Sequence, residues 1–152
     1  MDCIFCRILA GEIPGEVVAE TADTLAFLDV MPLADGHVLV IPKTHALVVE
    51  DLPAASAASL MHMAQLLSAA LCREFGASGT TMGINNGPET GQTVPHVHLH
   101  LVPRFPGDGA GSLHSAFSGF AAEPAPLAKT AQRIRKSLEA HPPESFSSDD
   151  DL

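Results

Sequence analysis

The sequence predicts an α+β fold: an antiparallel β-meander of about five strands, covered by one long helix and followed by a C-terminal helix. Three observations predict it. Short runs of branched apolar residues, bounded by turn residues, recur through residues 1–105. One uninterrupted stretch, 53–75, places its apolar residues at helical spacing. The run His96-Val97-His98-Leu99-His100 alternates imidazole and branched apolar side chains with the two-residue period of a strand.

Taken in chain order, 17–19 and 24–28 flank Thr21-Ala22-Asp23 and read as a hairpin, and 37–41 reads as a third strand after the turn signals Pro32 and Asp35-Gly36. Asp51 and Pro53 mark the start of the long helix, Leu60, Met63, Leu67 and Leu71 lie on one face, and Gly76 ends it. Strands over 80–85 and 94–102 follow, joined by a Gly/Pro loop. From Pro106 the composition changes: Gly107-Asp108-Gly109-Ala110-Gly111-Ser112 reads as linker, and Leu127, Ala131, Ile134 and Leu138 mark a helix expected to dock as a C-terminal element. The expected division is a domain over 1–108, a Gly/Ser/Ala-rich linker over 109–123, a helix over 124–141 and an acidic tail over 142–152. That tail has too little to bury and is expected to be disordered.

At 152 residues the chain is long enough for one domain with a substantial core. Eighteen acidic residues against eight basic ones give a net charge of −10, and the one basic cluster is Arg133, Arg135 and Lys136. A nucleic-acid surface is not expected. No apolar run approaches the roughly 20 residues of a membrane span, and Met1-Asp2-Cys3 lacks the basic start of a secretory signal, so the expectation is a cytoplasmic chain with no membrane partner. Three cysteines, two of them spaced as Cys3-x-x-Cys6, do not close a disulfide framework and leave metal binding or free thiols, with Cys72 read as a buried thiol. Glycine-rich phosphate loops of the Walker or dinucleotide type are absent, which argues against a kinase or a Rossmann enzyme.

On a regular strand His96, His98 and His100 would share a face at about 6.6 Å spacing, so the outer pair would stand about 13 Å apart. Nitrogens on one zinc ion lie within roughly 4 Å of one another, so the three cannot share an ion. The row suits one reactive imidazole flanked by two helpers. Imidazole near neutral pH has an unprotonated nitrogen able to attack phosphorus and is then a competent leaving group. A metal-dependent hydrolase would need carboxylates beside the strand, and none lies between His96 and Arg104. The plain alternative is a surface strand of solvated histidines.

The flanks add to this. Asn85-Asn86-Gly87-Pro88-Glu89-Thr90-Gly91-Gln92-Thr93-Val94-Pro95 precedes the row and Leu101-Val102-Pro103-Arg104 follows it. Ile4-Phe5, Ile13-Pro14, Leu25-Ala26-Phe27-Leu28-Asp29, Gly36-His37-Val38-Leu39-Val40-Ile41-Pro42-Lys43 and His45 stand earlier in the chain. In this order they resemble the histidine-triad (HIT) superfamily of nucleotidyl hydrolases and transferases, over 1–105.

The resemblance implies a HIT-like meander, a purine nucleotide substrate and attack by His98 on the α-phosphate to give a nucleotidyl-histidine intermediate. It implies that His100, supported by His37, fixes the nucleophile, that Thr93 faces the leaving group, and that Gln92 approaches the phosphates. Asn85 matches a family asparagine near the nucleotide, although Asn-Asn-Gly-Pro also reads as a plain turn. Asp29 matches the acid that accepts both ribose hydroxyls, and Ile4, Phe5, Phe27, Val30 and Leu39 match the base slot, positions that equally suit ordinary core. Bacterial-type relatives with this opening bind a structural zinc, here at Cys3, Cys6, His45 and His96, while catalysis needs no metal. The opening looks Hint-type, with a phosphoramidate substrate; Gly87-Pro88-Glu89, Gly91-Gln92-Thr93-Val94 and Pro103-Arg104 look Fhit-type, with a dinucleoside polyphosphate. The alternative is a zinc-stabilised nucleotide-binding regulatory module with little catalysis. Relatives pair as homodimers through the long helix and the strand near the Gly-Pro loop, unless here the C-terminal helix covers that surface.

Overall fold

Branched apolar residues at 24–28 and 38–42 are buried on both sides of the chain, and that burial defines the centre of the sheet. The computed structural model describes residues 3–116 and 125–141. Its elements are α1 (Ile4–Leu9), β1 (Val17–Glu20), β2 (Thr24–Leu28), β3 (Val38–Pro42), α2 (Ala54–Phe75), β4 (Gly79–Gly83), β5 (Leu99–Arg104), α3 (Leu113–Ala116) and α4 (Leu127–Ala140). Single 3-10 turns occupy Val49–Asp51 and Pro88–Thr90. The five strands run in the order β1-β2-β3-β5-β4, each pair antiparallel, giving the α+β class that the sequence predicts.

The register sorts the strand residues by face. Ala26 pairs with Val40, and Val38 with Leu101, on the side where α2 packs through Leu60, Met63, Ala64 and Leu71. Phe27 pairs with Leu39, and Leu25 with Ile41, on the other side, which Cys3 and Phe5 cover. His100 pairs with Leu39 and therefore projects to this second side. One face carries a long helix; the opposite face carries α1 and the histidines.

The structure departs from expectation most at α1, at the start of β5 and at α3. The helix α1 has six residues and no sequence periodicity, and its stability comes from Phe5 packing on the sheet. The last strand starts at Leu99 rather than 94, because Pro95 has no N–H for a ladder and Val97 N–H turns instead to the Ala46 carbonyl at 2.8 Å. A helical turn, α3, lies inside the stretch read as linker, just past Gly111. Residues 117–123 of that stretch and the whole of 142–152 lie outside the described residues.

The chain divides into two compact units, Met1–Asp108 and Gly109–Leu152. In the second, α4 starts after Pro126, and its apolar residues Leu127, Ile134 and Leu138 are exposed. No uninterrupted apolar run of membrane-spanning length exists in the sequence, yet α2, with 22 residues, is long and apolar enough to cross one by length and composition. Here it lies on the sheet through Leu60, Met63, Ala64 and Leu71.

Gly36 makes the turn into β3 at φ +80°, and a Cβ there would sit 2.8 Å from the Phe75 ring and 3.1 Å from Leu71. Gly36→Ala should therefore destabilise the fold by roughly 1–3 kcal/mol through backbone strain and overlap together. Urea unfolding checks this, and an unchanged midpoint would contradict it.

Candidate active site

His98 stands in the extended segment before β5 and is 4% exposed. Its Nδ1 lies 2.7 Å from the His96 carbonyl oxygen, to which it donates. The ring proton is thereby held on Nδ1, leaving the lone pair on Nε2. His37, just before β3, receives the Leu33 N–H at Nδ1 (3.1 Å), so its own proton sits on Nε2. That Nε2–H donates to His100 Nδ1 at 3.1 Å, which leaves the proton of neutral His100 on Nε2. The hydrogen-bond network thus assigns one tautomer to each imidazole.

Asp29 closes the group. One carboxylate oxygen accepts the Met31 N–H at 2.9 Å, while Oδ2 stands 3.6 Å from His37 Nδ1 and 3.9 Å from His100 Nδ1, beyond hydrogen-bond range. Burial pulls the His37 imidazole below its ordinary pKa, with Asp29 opposing. Burial does the same to His100, assisted by His98 and His37 and opposed by Asp29. Asp29, His37 and His100 lie close enough to be read as metal ligands. Both nitrogens of His37 are already committed, however, one to Leu33 and one to His100.

The loop residues take different parts. Gln92 Oε1 accepts the Gly87 N–H at 2.7 Å, and Nε2 donates to the Leu47 carbonyl at 2.8 Å and the Val94 carbonyl at 3.1 Å, with the His96 carbonyl at 3.5 Å. Its amide braces the loop. Thr93 and Asn85 are exposed beside it. Asn86, which sequence reasoning passed over for its neighbour, locks the loop to the start of α2's approach: it accepts the Val49 N–H at 2.8 Å and donates to Glu50 at 2.7 Å. Of the five apolar residues matched to a base slot, Phe5, Phe27 and Leu39 form one buried cluster, whereas Ile4 is half-exposed and Val30 is 94% exposed.

A second constellation lies on the far side of His96. The ligating atoms of Cys3, Cys6, His45 and His96 all fall within 4.8 Å of one another. Cys3 Sγ is 3.5 Å and Cys6 Sγ 3.6 Å from His96 Nδ1, Cys6 Sγ is 3.3 Å from His45 Nδ1, and the two Nδ1 atoms are 3.2 Å apart. A tetrahedral zinc ion with ordinary bond lengths requires N···N edges of about 3.3 Å and S···N edges of about 3.6 Å, so the four residues fit it. His96 Nε2 donates to the Pro42 carbonyl at 2.9 Å, which frees Nδ1 as a lone pair and orients the ring. Burial and the adjacent Cys3 push the Cys6 thiol up. A cation would reverse that balance by taking the thiolate. Both cysteines are free.

Comparison with known proteins agrees with this geometry. The HIT domain matches residues 10–107, a span that contains His37, His45 and the whole histidine row but begins after both cysteines of the cluster. "Protein hit" of Bacillus subtilis is 42% identical over 113 residues, 74% of this chain and 78% of that protein. The adenosine 5'-monophosphoramidase of Schizosaccharomyces pombe is 41% identical over 104 residues, 68% of this chain and 75% of its own. A solved zinc-bound histidine triad family protein from Mycobacterium smegmatis superposes with a TM-score of 0.70 at 33% identity, covering 92% of this chain and 95% of its own. Sheet, histidine row and sequence match point the same way, and the chain belongs to the HIT family.

Proposed function

We propose that the protein is a nucleotide hydrolase or nucleotidyltransferase acting at the α-phosphate of a purine nucleotide, with His98 as nucleophile. The observation that carries this is the 2.7 Å bond from His98 Nδ1 to the His96 carbonyl, which directs an unprotonated Nε2 away from the backbone. That nitrogen forms a P–N bond as the bond to the leaving group breaks with its electron pair; water then forms a P–O bond, the P–N bond breaks, and His98 is restored. His100, held by His37, presents its Nε2–H to a phosphoryl oxygen, where charge develops. Asp29, whose Oδ2 stands 3.6 Å from His37 and 3.9 Å from His100, accepts the ribose hydroxyls. Ile4, Phe5, Phe27, Val30 and Leu39 form the base side, Asn85 stands near the nucleotide, Thr93 faces the leaving group and Gln92 approaches the phosphates. The relative from Schizosaccharomyces pombe, named a phosphoramidase, supports a phosphoramidate substrate over a dinucleoside polyphosphate. Turnover of adenosine 5'-phosphoramidate beside a diadenosine polyphosphate tests the choice, and failure to turn over either removes the enzymatic reading in favour of a regulatory module.

His98→Ala should lower turnover by about three orders of magnitude or more while nucleotide binding persists, because the covalent route is lost and the base and ribose contacts are not. Quenched-flow trapping of the labelled adduct checks the assignment, and an adduct on another residue sinks it.

Cys3, Cys6, His45 and His96 would hold a zinc ion that serves structure, since four protein ligands would leave no position open for substrate. Protein prepared without chelator should carry about one zinc per chain, and stripping it should lower the melting temperature by several degrees. Metal analysis with calorimetry decides; a zinc-free protein with the same melting temperature would refute the claim.

The chain is also proposed to be a homodimer. Met61, His62 and Gln65 of α2 line a groove with Met82 of β4, Met61 and Leu66 are exposed, and β4 is the last strand of the sheet among the described residues. Symmetric pairing across α2 and β4 would cover both the apolar face and the edge. Light scattering at micromolar concentration should give twice the chain mass, whereas a value near 15.9 kDa would overturn the dimer.

A further inference from the structure

We propose that Cys3 and Cys6 are an oxidation site: hydrogen peroxide converts the pair to a disulfide, Cys6 reacting first and Cys3 resolving, and the metal centre is thereby dismantled from its cysteine side. The disulfide rests on the geometry of the two thiols; the loss of the ion rests also on the zinc reading above.

The backbone places the two cysteines for such a bond. Arg7 N–H donates to the Cys3 carbonyl at 3.1 Å, so one helical turn spans residues 3–7. Residues three apart on a helical turn have Cα atoms about 5 Å apart, inside the range of about 4.4–6.8 Å that a disulfide accepts. The two sulfur atoms lie within 4.8 Å of each other. Side-chain rotation alone brings them together.

The thiols differ in what can reach them. Cys3 is 2% exposed and belongs to the buried cluster with Leu25 and Ile41, whereas Cys6 is only partly buried. An accessible cysteine beside a second thiol is the arrangement in which a sulfenic acid is captured as a disulfide before it oxidises further. As metal ligands both cysteines would be thiolates, the form that attacks peroxide. The Cys6 sulfur forms a bond to one peroxide oxygen as the O–O bond breaks, and the departing hydroxide takes a proton and leaves as water. Cys3 then attacks the Cys6 sulfenic acid: the S–S bond forms, the S–O bond breaks, and hydroxide takes a proton and leaves as a second water. Two thiolates are oxidised to one disulfide and one peroxide is reduced to two waters.

The histidine half of the cluster responds unevenly. His96 keeps its Nε2–H on the Pro42 carbonyl at 2.9 Å whatever the state of the cysteines. His45 has no such anchor: its Nε2 is buried without a hydrogen-bond partner, and its Nδ1 faces Cys6 Sγ at 3.3 Å and His96 Nδ1 at 3.2 Å. A disulfide offers no thiolate, so two imidazoles remain where a closed tetrahedral site needs four ligands, and His45 is the ring set free. Cys72, on α2, is a free thiol that joins no such cluster among the described residues.

The test treats full-length zinc-loaded protein with a modest excess of hydrogen peroxide and measures zinc released to a chelating dye beside non-reducing peptide mapping. About one zinc should leave for each Cys3–Cys6 disulfide formed, with loss of two of the three free thiols and a melting temperature lower by several degrees. Dithiothreitol followed by zinc should reverse all three changes. Cys72→Ser should respond as the wild type does, and Cys3→Ser should instead accumulate a sulfenic acid on Cys6 that a dimedone label captures. Treated wild-type protein that keeps both its zinc and its two thiols would overturn the proposal, as would oxidation confined to Cys72 or a sulfinic acid on Cys6 with Cys3 still free. Protein that purifies without zinc would remove the zinc reading alone, and peptide mapping after peroxide would still decide the disulfide.

Discussion

The hydrogen bond from His98 Nδ1 to the carbonyl of His96 is the contact on which the rest of the site depends. It assigns a tautomer with a backbone group, which cannot change rotamer or charge, but it works only if the His96 peptide is held. The structure holds it from three directions. The His96 side chain is anchored at both ring nitrogens, by the cysteine-histidine cluster and by the Pro42 carbonyl; the next residue bonds through its N–H to Ala46; and the Gln92 amide approaches the same carbonyl. Cluster, loop and the end of β3 converge on one residue.

This convergence explains how much was legible in the sequence. The central strands were readable because β2 and β3 are buried on both faces and their apolar residues leave little choice of structure. The long helix was readable from Leu60, Met63 and Leu71, which fall on one face and are all buried there. The start of β5 was misplaced because alternation alone cannot say where ladder pairing begins: Val94 to His98 alternate as a strand would, yet Pro95 and the turn of Val97 toward Ala46 keep them out of the sheet. Helix α1 was missed for the opposite reason, having too few residues for any period. Its available signal was chemical. Cysteines three apart project from one face of a helical turn, as a bidentate grip on an ion requires.

The histidine row divides its labour along the same break. Distance along a regular strand argued that the three rings could not share one ion; in the structure His96 and His100 fall in separate clusters of possible ligands, although the chain reaches that separation by leaving the strand. Only His100 lies in the ladder, where its pairing with Leu39 brings it to His37. His96, freed from the sheet, is fully buried beside Cys3 and His45. Asn86 and Gln92 show a limit of motif reading. Both amides are committed to backbone or to Glu50, contacts that depend on where Leu47 and Val49 fall in space and that no spacing in the loop itself reveals.

Charge supplies the remaining argument, about substrate. Burial lowers His37, His96 and His100 together, so near neutral pH these rings contribute N–H dipoles and no imidazolium charge. Among the described residues, the hydrogen-bond and ion-pair partners of His37, His98 and His100 include no lysine or arginine. Arg7, Lys43 and Arg104 are paired with Glu12, Glu20 and Asp108. The chain as a whole carries a net charge of −10. A polyphosphate brings several negative charges to donors that, among the described residues, are neutral imidazoles beside Asp29 with no lysine or arginine bonded to them, and buried anions need charged partners. A phosphoramidate brings fewer charges to the same donors and a leaving nitrogen that departs as a neutral amine once protonated. Within the proposed function, neutral donors beside Asp29 are the reason to test the less charged substrate first.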